Sequence, residues 1–166
     1  IATGEQLALL ATSINESTSN TYYNKYYELV SDINLNGLEW NPIGCYWYGT
    51  FSSSCSNNLL FGGRLEGNNH VISNFKVTSP RTDINYSYYG LFGGASGTIQ
   101  NLGVENFTIT MVNSTLISAG GLVGYSLGAK ITNCYAKNGT VEVEGGYNVY
   151  AGGLVGDCSS DSNIEI

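Results

Sequence analysis

The feature that most constrains the fold of this chain is an internal repeat of roughly 31 residues. The segment YGLFG at 89–93 recurs as GGLVG at 120–124 and again at 152–156. A repeat of this length is one supersecondary unit that cannot bury its apolar face alone. Each unit must therefore stack on its neighbours along the chain.

Two further phrases follow the glycine-rich segment and show that the repeated unit is β-structure. Copies of an isoleucine-x-asparagine phrase stand at 72–74, 99–101, 131–133 and, truncated, 164–166. NFTITM at 106–111 matches NGTVEV at 138–143, and their apolar residues alternate as in a strand. We therefore predict three short strands in each repeat, separated by Gly, Asn and Ser turns.

Three short strands in a repeat of about 30 residues predict an all-β fold, a parallel right-handed β-helix with one repeat per turn. Equivalent side chains then lie directly above one another. The predicted inward column contains Leu91, Leu122 and Leu154. The predicted asparagine ladder, with amides bonded from turn to turn, contains Asn74, Asn101 and Asn133.

The N-terminal segment differs from the repeats and predicts a helix that caps the first turn. Thr3 and Gln6 have the spacing of a capping box. Apolar residues follow with the periodicity of one helix face at Leu7, Leu10, Ala11 and Ile14. We expect a capping helix and lead-in over 1–25 and a repeat domain over 26–166, truncated within a repeat at its C-terminal end. The expected truncation also leads to the hypothesis that subunits stack end to end into a filament.

Several phrases occur in the order expected of one family, and the chain resembles the GLUG-motif repeat proteins. Besides GGLVG, they are YELVSDINL at 27–35, WNPIG at 40–44 and FGGRLEGNNHVI at 61–72. The resemblance covers most of the chain. It implies a modular, extracellular, β-helical region of a secreted or surface-anchored, adhesin-like protein.

The cysteines and the glycosylation sequons permit an extracellular setting. The four cysteines are Cys45, Cys55, Cys134 and Cys158, and none shows CxxC spacing. An even number permits two disulfides in an oxidising compartment, and four buried free thiols remain an alternative. Asn-x-Ser/Thr sequons stand at Asn15, Asn85, Asn106, Asn113 and Asn138. They permit N-glycosylation without identifying it, because chance alone supplies a similar number.

The charge balance and the lengths of the apolar runs limit the partners. With 6 basic and 13 acidic residues, the net charge is −7. Nucleic-acid binding needs a basic stripe, so this balance argues against a nucleic-acid partner. The longest apolar runs, such as 7–11, are much shorter than the roughly 20 residues that span a bilayer. We expect a secreted or cell-surface protein with no membrane span in this sequence.

The titratable residues do not form a pattern that indicates catalysis. His70 is the single histidine, so an HExxH zinc site is excluded, and a Ser-His-Asp triad would have to use this residue. Its turn sequence favours a structural role. Glu142 and Glu144 share a strand face, but the other acids are scattered. We expect no enzyme activity, cofactor or metal.

The remaining candidates for ligand contact are aromatic. Tyr46, Trp47 and Tyr48 stand in a tyrosine-rich first half of the chain, where they either cover loops or stack on a protein or glycan ligand. The expected function is therefore a non-catalytic structural or adhesive module. A carbohydrate-binding or polysaccharide-acting β-helix module and a self-stacking filament subunit are the alternatives.

Overall fold

The chain folds into parallel β-sheets with one N-terminal α-helix. The computed structural model describes residues 1–17, 20–44, 60–78, 87–112, 116–144 and 148–165. Within these residues every pairing between strands is parallel. The predicted all-β class is therefore confirmed, whereas the right-handed winding of a β-helix stays a prediction.

The helix α1 (Gly4–Asn15) begins and packs as its sequence predicts. Thr3 Oγ1 accepts the N–H of Gln6 at 3.3 Å, and Gln6 Oε1 accepts the N–H of Ala2 at 2.7 Å. The first bond satisfies an N–H group that a helix start leaves without a partner. The buried residues of α1 are Leu7, Leu10, Ala11 and Ile14. The N-cap at Thr3 and the apolar face are confirmed, whereas the second bond of the predicted capping box comes from Ala2 instead of Thr3.

The C-terminal end of α1 is bonded to the first repeat through one side chain. Asn15 donates from Nδ2 to the carbonyl of Pro42 at 2.9 Å and accepts the N–H of Gly44 at 2.8 Å. Because Asn15 uses both ends of its amide, α1 is held over the apolar interior in one position. A 3-10 helix, Asn20–Tyr22, follows α1.

Four sheets are formed by short strands, which are numbered in chain order. The first sheet contains, in spatial order, β1 (Tyr26–Glu28), β3 (Arg64–Glu66), β7 (Thr98–Gln100), β12 (Lys130–Thr132) and β17 (Asn163–Glu165). The second contains β13 (Tyr135–Lys137), β8 (Gly103–Glu105), β4 (Val71–Thr78), β9 (Thr108–Val112) and β14 (Thr140–Glu144), with β2 (Ile33–Glu39) paired to β4. The third contains β15 (Asn148–Gly152), β10 (Leu116–Gly120) and β5 (Ser87–Tyr89). The fourth contains β16 (Val155–Cys158), β11 (Val123–Ser126) and β6 (Phe92–Ala95).

The register places equivalent residues of successive repeats side by side. In the first sheet Leu65 pairs with Ile99, Ile99 with Ile131, and Ile131 with Ile164. Leu65, Ile99 and Ile131 are fully buried. The interior is therefore built from apolar columns that run across the sheets.

The repeats that begin at β6 and at β11 each contain five described strands, more than the three predicted. In the repeat that begins at β11, the predicted strands are β11, β12 and β14, and β13 and β15 are additional. Asn133 and Asn138 have φ of 51° and 53°, in the left-handed region that asparagine tolerates. They bend the chain on either side of β13, which is therefore a separate strand between two predicted ones.

Candidate functional site

The polar ladder on the first sheet joins three repeats and differs from the predicted one. Asn133 Nδ2 donates to Asn101 Oδ1 at 3.2 Å, and Asn101 Nδ2 donates to Glu66 Oε1 at 2.7 Å. Asn74 lies in another column, where its Nδ2 donates to Asn34 Oδ1 at 3.0 Å. The structure thus brings Asn101 and Asn133 together and adds Glu66. We call Glu66, Asn101 and Asn133 the Glu66 ladder.

The predicted place of Asn74 in this ladder is wrong, because its phrase belongs to a different strand. Ile72 pairs with Val104, not with Ile99. Asn74 is therefore equivalent to asparagines that follow β8 and β13. Its column of left-handed residues contains Asn74, Asn106 and Asn138.

Glu66 is the most buried charged side chain among the described residues, with 9% of its surface exposed. Its Oε1 accepts the N–H of Asn68 at 3.1 Å as well as the Asn101 amide, and its Oε2 accepts Gln100 Nε2. Burial tends to raise the pKa of Glu66, but these donors and the nearby Arg64 charge outweigh it and hold the pKa below its ordinary value of 4.5. The charged carboxylate is therefore the form that the folded protein prefers.

The Glu66 ladder should make stability depend on pH. A carboxyl whose pKa is lower in the folded than in the unfolded chain stabilises the fold above the unfolded pKa. That contribution is lost as the pH falls through the folded pKa. Glu66→Gln is expected to lower the free energy of unfolding by about 1–3 kcal/mol at neutral pH and to flatten its fall between about pH 5 and pH 2. Urea unfolding across this range measures both.

Glu165→Gln is the matched control for this prediction. Glu165 lies in the same column of the first sheet, where it pairs with Thr132, but it is exposed. Glu165→Gln should leave both the free energy of unfolding at neutral pH and its dependence on acid pH unchanged. Equal effects of the two substitutions would contradict a special role for Glu66.

The predicted leucine column lies inside the molecule. Leu91 and Leu122 are fully buried, and Leu154 is half-buried against the core. The carbonyl of Leu91 also accepts the indole N–H of buried Trp40 at 2.9 Å. The glycine-rich motif thus supplies apolar contacts and backbone hydrogen bonds within the interior.

The single histidine joins two repeats. His70 Nδ1 lies 3.0 Å from Asp32 Oδ1, which also accepts the N–H of Val71 at 3.0 Å. The bonds from Val71 and His70 hold the pKa of Asp32 below its ordinary value. On the same sheet the Tyr135 hydroxyl donates to Glu105 Oε1 at 2.8 Å, and this bond raises the pKa of Tyr135.

The two cysteines that the structure describes are not joined to a partner. Cys134 takes the inward position that Leu102 has in the preceding repeat, and its burial raises the pKa of its thiol. Cys158 is exposed on the fourth sheet. One faces the core and the other solvent, so disulfides at these positions are not supported. Cys45 and Cys55 lie outside the described residues.

The predicted ligand-contact aromatics Tyr46, Trp47 and Tyr48 lie outside the described residues. So do the sequons Asn85 and Asn113. Of the other sequons, Asn106 and Asn138 are exposed at turns. Asn15 is half-buried and bonded to Pro42 and Gly44, which disfavours its modification in the folded chain.

A column of outward side chains on the first sheet was not predicted. Tyr26, Arg64, Thr98, Lys130 and Asn163 occupy equivalent positions on five paired strands. Aligning the repeats residue by residue, RLEG at 64–67 with TIQN at 98–101 and KITN at 130–133, reveals most of it from the sequence. We call these five residues the outer column.

The described part of the chain also bears on membrane spans and metal sites. Its helices include none that is long and apolar enough to cross a membrane. Its His, Cys, Asp and Glu side chains form no group of three or more suited to a metal ion.

The parallel pairing of residues one repeat apart defines a repeat protein of stacked short strands. Residues 115–142 match the family model described as the GLUG motif. The chain is 35% identical over 148 residues to halomucin of Haloquadratum walsbyi, an alignment that covers 86% of the chain and 1% of halomucin. No solved structure matches it. The chain thus contains a GLUG motif at 115–142, and these similarities suggest a surface or extracellular repeat protein.

Proposed function

We propose that the chain is a non-catalytic structural and adhesive module of a cell-surface or secreted protein, wound as a parallel β-helix. The observation that carries the proposal is the register of the first sheet. Leu65, Ile99, Ile131 and Ile164 follow one another on strands of successive repeats. Strands that pair with the next repeat allow a protein to lengthen by adding repeats without a new kind of core. That property suits a stalk or a surface for display.

The winding is proposed to be right-handed. Connections between parallel strands of one sheet are right-handed in about 98% of cases, because a right-twisted strand leads the chain back to the sheet that way. From β3, from β7 and from β12 the chain leaves the first sheet, contributes strands to the other three sheets and returns to the first sheet beside its previous strand. One such circuit is one turn of the proposed helix.

The non-catalytic role is supported by what the described carboxylates do. Glu66 accepts amides from β7 and the turn after it, and Asp32 accepts the N–H that begins β4. Glu39 Oε1 accepts the hydroxyl of Thr78 at 2.6 Å from the next repeat. Since these carboxylates bond to the adjacent repeat, their role is to hold repeats together.

Surface labelling tests the proposed location. Antibodies raised against the chain are expected to label intact cells of the source organism or its culture medium, and protease added outside the cells should remove the cell-bound epitope. Labelling confined to permeabilised cells would contradict the proposal. The non-catalytic part is tested by incubating the purified chain with acidic polysaccharides, where new reducing ends that increase with protein concentration would contradict it.

Self-stacking into a filament is a second candidate, favoured by the side of the molecule that carries the last strands. Strands β14, β15, β16 and β17 are the outermost strands of their sheets in the described chain. Val143, Leu154 and Ile164 there are half-buried against the core. Sedimentation velocity should show rods that lengthen with concentration and that Leu154→Lys abolishes. A monomer at every concentration would contradict this candidate.

A further inference from the structure

The outer column is a regular row of side chains that point away from the core. Arg64, Lys130 and Asn163 are exposed, and Tyr26 is 58% exposed. Paired strands lie about 4.8 Å apart, so Arg64 and Lys130, with Thr98 between them, are separated by about 10 Å. The row is straight because all of its members are paired in parallel register.

The charges of this row are available for a ligand. Among the described residues, no carboxylate lies within ion-pair distance of Arg64 or Lys130. The Arg64 guanidinium lies over the ring of Tyr26, 5.8 Å from its centroid. This cation–π contact restricts the position of Arg64 and leaves its N–H groups without an ion-pair partner in the described part of the chain. Lys25, directly before Tyr26, adds a third exposed basic side chain near the same edge.

The neighbouring outward column does not cancel these charges in the middle of the sheet. Its central members are neutral, Gln100 and Thr132. Its exposed acids, Glu28 and Glu165, stand at the two ends of the sheet. Glu66 carries a negative charge near Arg64, but this carboxylate is buried and its oxygens accept the amides described above. The exposed charges at the centre of this face, Arg64 and Lys130, are therefore both basic on a chain with a net charge of −7.

We propose that the outer column is a binding site for an acidic polysaccharide, a linear glycan that carries carboxylate or sulfate groups. Arg64 and Lys130 bind two anionic groups along the glycan, at a separation that two sugar units of an extended chain span. Thr98 and Asn163 offer hydrogen bonds to its hydroxyls, and Tyr26 offers a ring on which a sugar packs. The site adds a ligand class to the proposed module and rests on that proposal only for its surface setting.

The test is a titration of the ¹⁵N-labelled chain, followed by NMR, with polygalacturonate oligomers, dextran sulfate and neutral dextran. Either polyanion is expected to shift the amide signals of Arg64, Thr98 and Lys130, with binding that weakens as salt is added. The double substitution R64Q/K130Q should weaken binding by about tenfold. The polyanion that binds more tightly shows whether the site prefers carboxylate or sulfate groups.

The matched control is K76Q/K137Q, which removes the same charge from two exposed lysines of the second sheet. It should weaken binding by less than about twofold. The proposal is overturned if this control weakens binding as much as R64Q/K130Q, if neutral dextran binds equally well, or if neither polyanion shifts the outer column. Tighter binding of single-stranded DNA at the same residues would also overturn it. None of these results would affect the surface labelling, which tests the proposed location separately.

Discussion

Gly120→Ala is expected to lower the free energy of unfolding by about 3 kcal/mol, because the chain has no room for a methyl group at this turn. A Cβ on Gly120 would lie 2.4 Å from the carbonyl oxygen of Val123 and 2.5 Å from the nitrogen of Gly156. Both are backbone atoms, one in the same repeat and one in the next. Relieving the overlap requires β10, β11 or β16 to shift, and each of them is paired on a neighbouring repeat.

Gly153→Ala is the control for this prediction, at the second glycine of the same motif one repeat later. A Cβ on Gly153 meets no atom within 4 Å. Its substitution should leave the free energy of unfolding unchanged or raise it slightly, because alanine reduces the freedom of the unfolded chain. Urea unfolding of both variants gives the comparison. Equal losses of stability would contradict the account of the motif as a tight turn.

Ile131→Ala is expected to lower the free energy of unfolding by about 2–5 kcal/mol, by removing buried methyl groups and leaving a cavity. Ile131 is fully buried, with Ile99 on one side and Ile164 on the other. A solvent-facing position would lose far less.

The same substitution at Ile164 is the matched comparison, because Ile164 occupies the equivalent position in the last repeat. It is half-buried, with Ile131 on one side of its strand and no further strand on the other among the described residues. Ile164→Ala should therefore cost no more than about half as much as Ile131→Ala. Larger destabilisation at Ile164 would contradict the order of the apolar column.

The helix and the repeat could be predicted because their signals are local or periodic. The N-cap residue Thr3 and the apolar face of α1 lie within fifteen residues, and the structure places them as expected. The glycine-rich copies recur after 31 and 32 residues, and these spacings set the register of Phe92 with Val123 and of Val123 with Val155. These signals need no knowledge of contacts between distant residues.

The position of Asn74 could not be predicted from its phrase alone. Asparagine in the left-handed region stands directly after β7, at Asn101, and within β4, at Asn74, so the same short phrase occurs at two different places in the repeat. Only the pairing of Ile72 with Val104 distinguishes them. Both positions require a residue that tolerates positive φ, and asparagine meets this requirement at each. The two phrases are therefore alike in sequence although they are not equivalent in the structure.

The Glu66 ladder and the outer column were missed for a different reason. Gly67 and Asn68 follow Glu66 where later repeats have Asn101 and Leu102, so this repeat lacks the isoleucine-x-asparagine phrase. Arg64 and Lys130 are neighbours only through the intervening Thr98 strand. An overall acidic composition also conceals a short basic row, because net charge carries no information about position.

The most direct test of the account is NMR measurement of methyl–methyl contacts in the unmodified protein, labelled at isoleucine and leucine methyl groups. Strands about 4.8 Å apart bring stacked methyl groups within range of strong nuclear Overhauser effects. The account predicts strong effects for Leu65 with Ile99, Ile99 with Ile131, and Ile131 with Ile164. Absence of these effects would contradict the stacking of one repeat on the next.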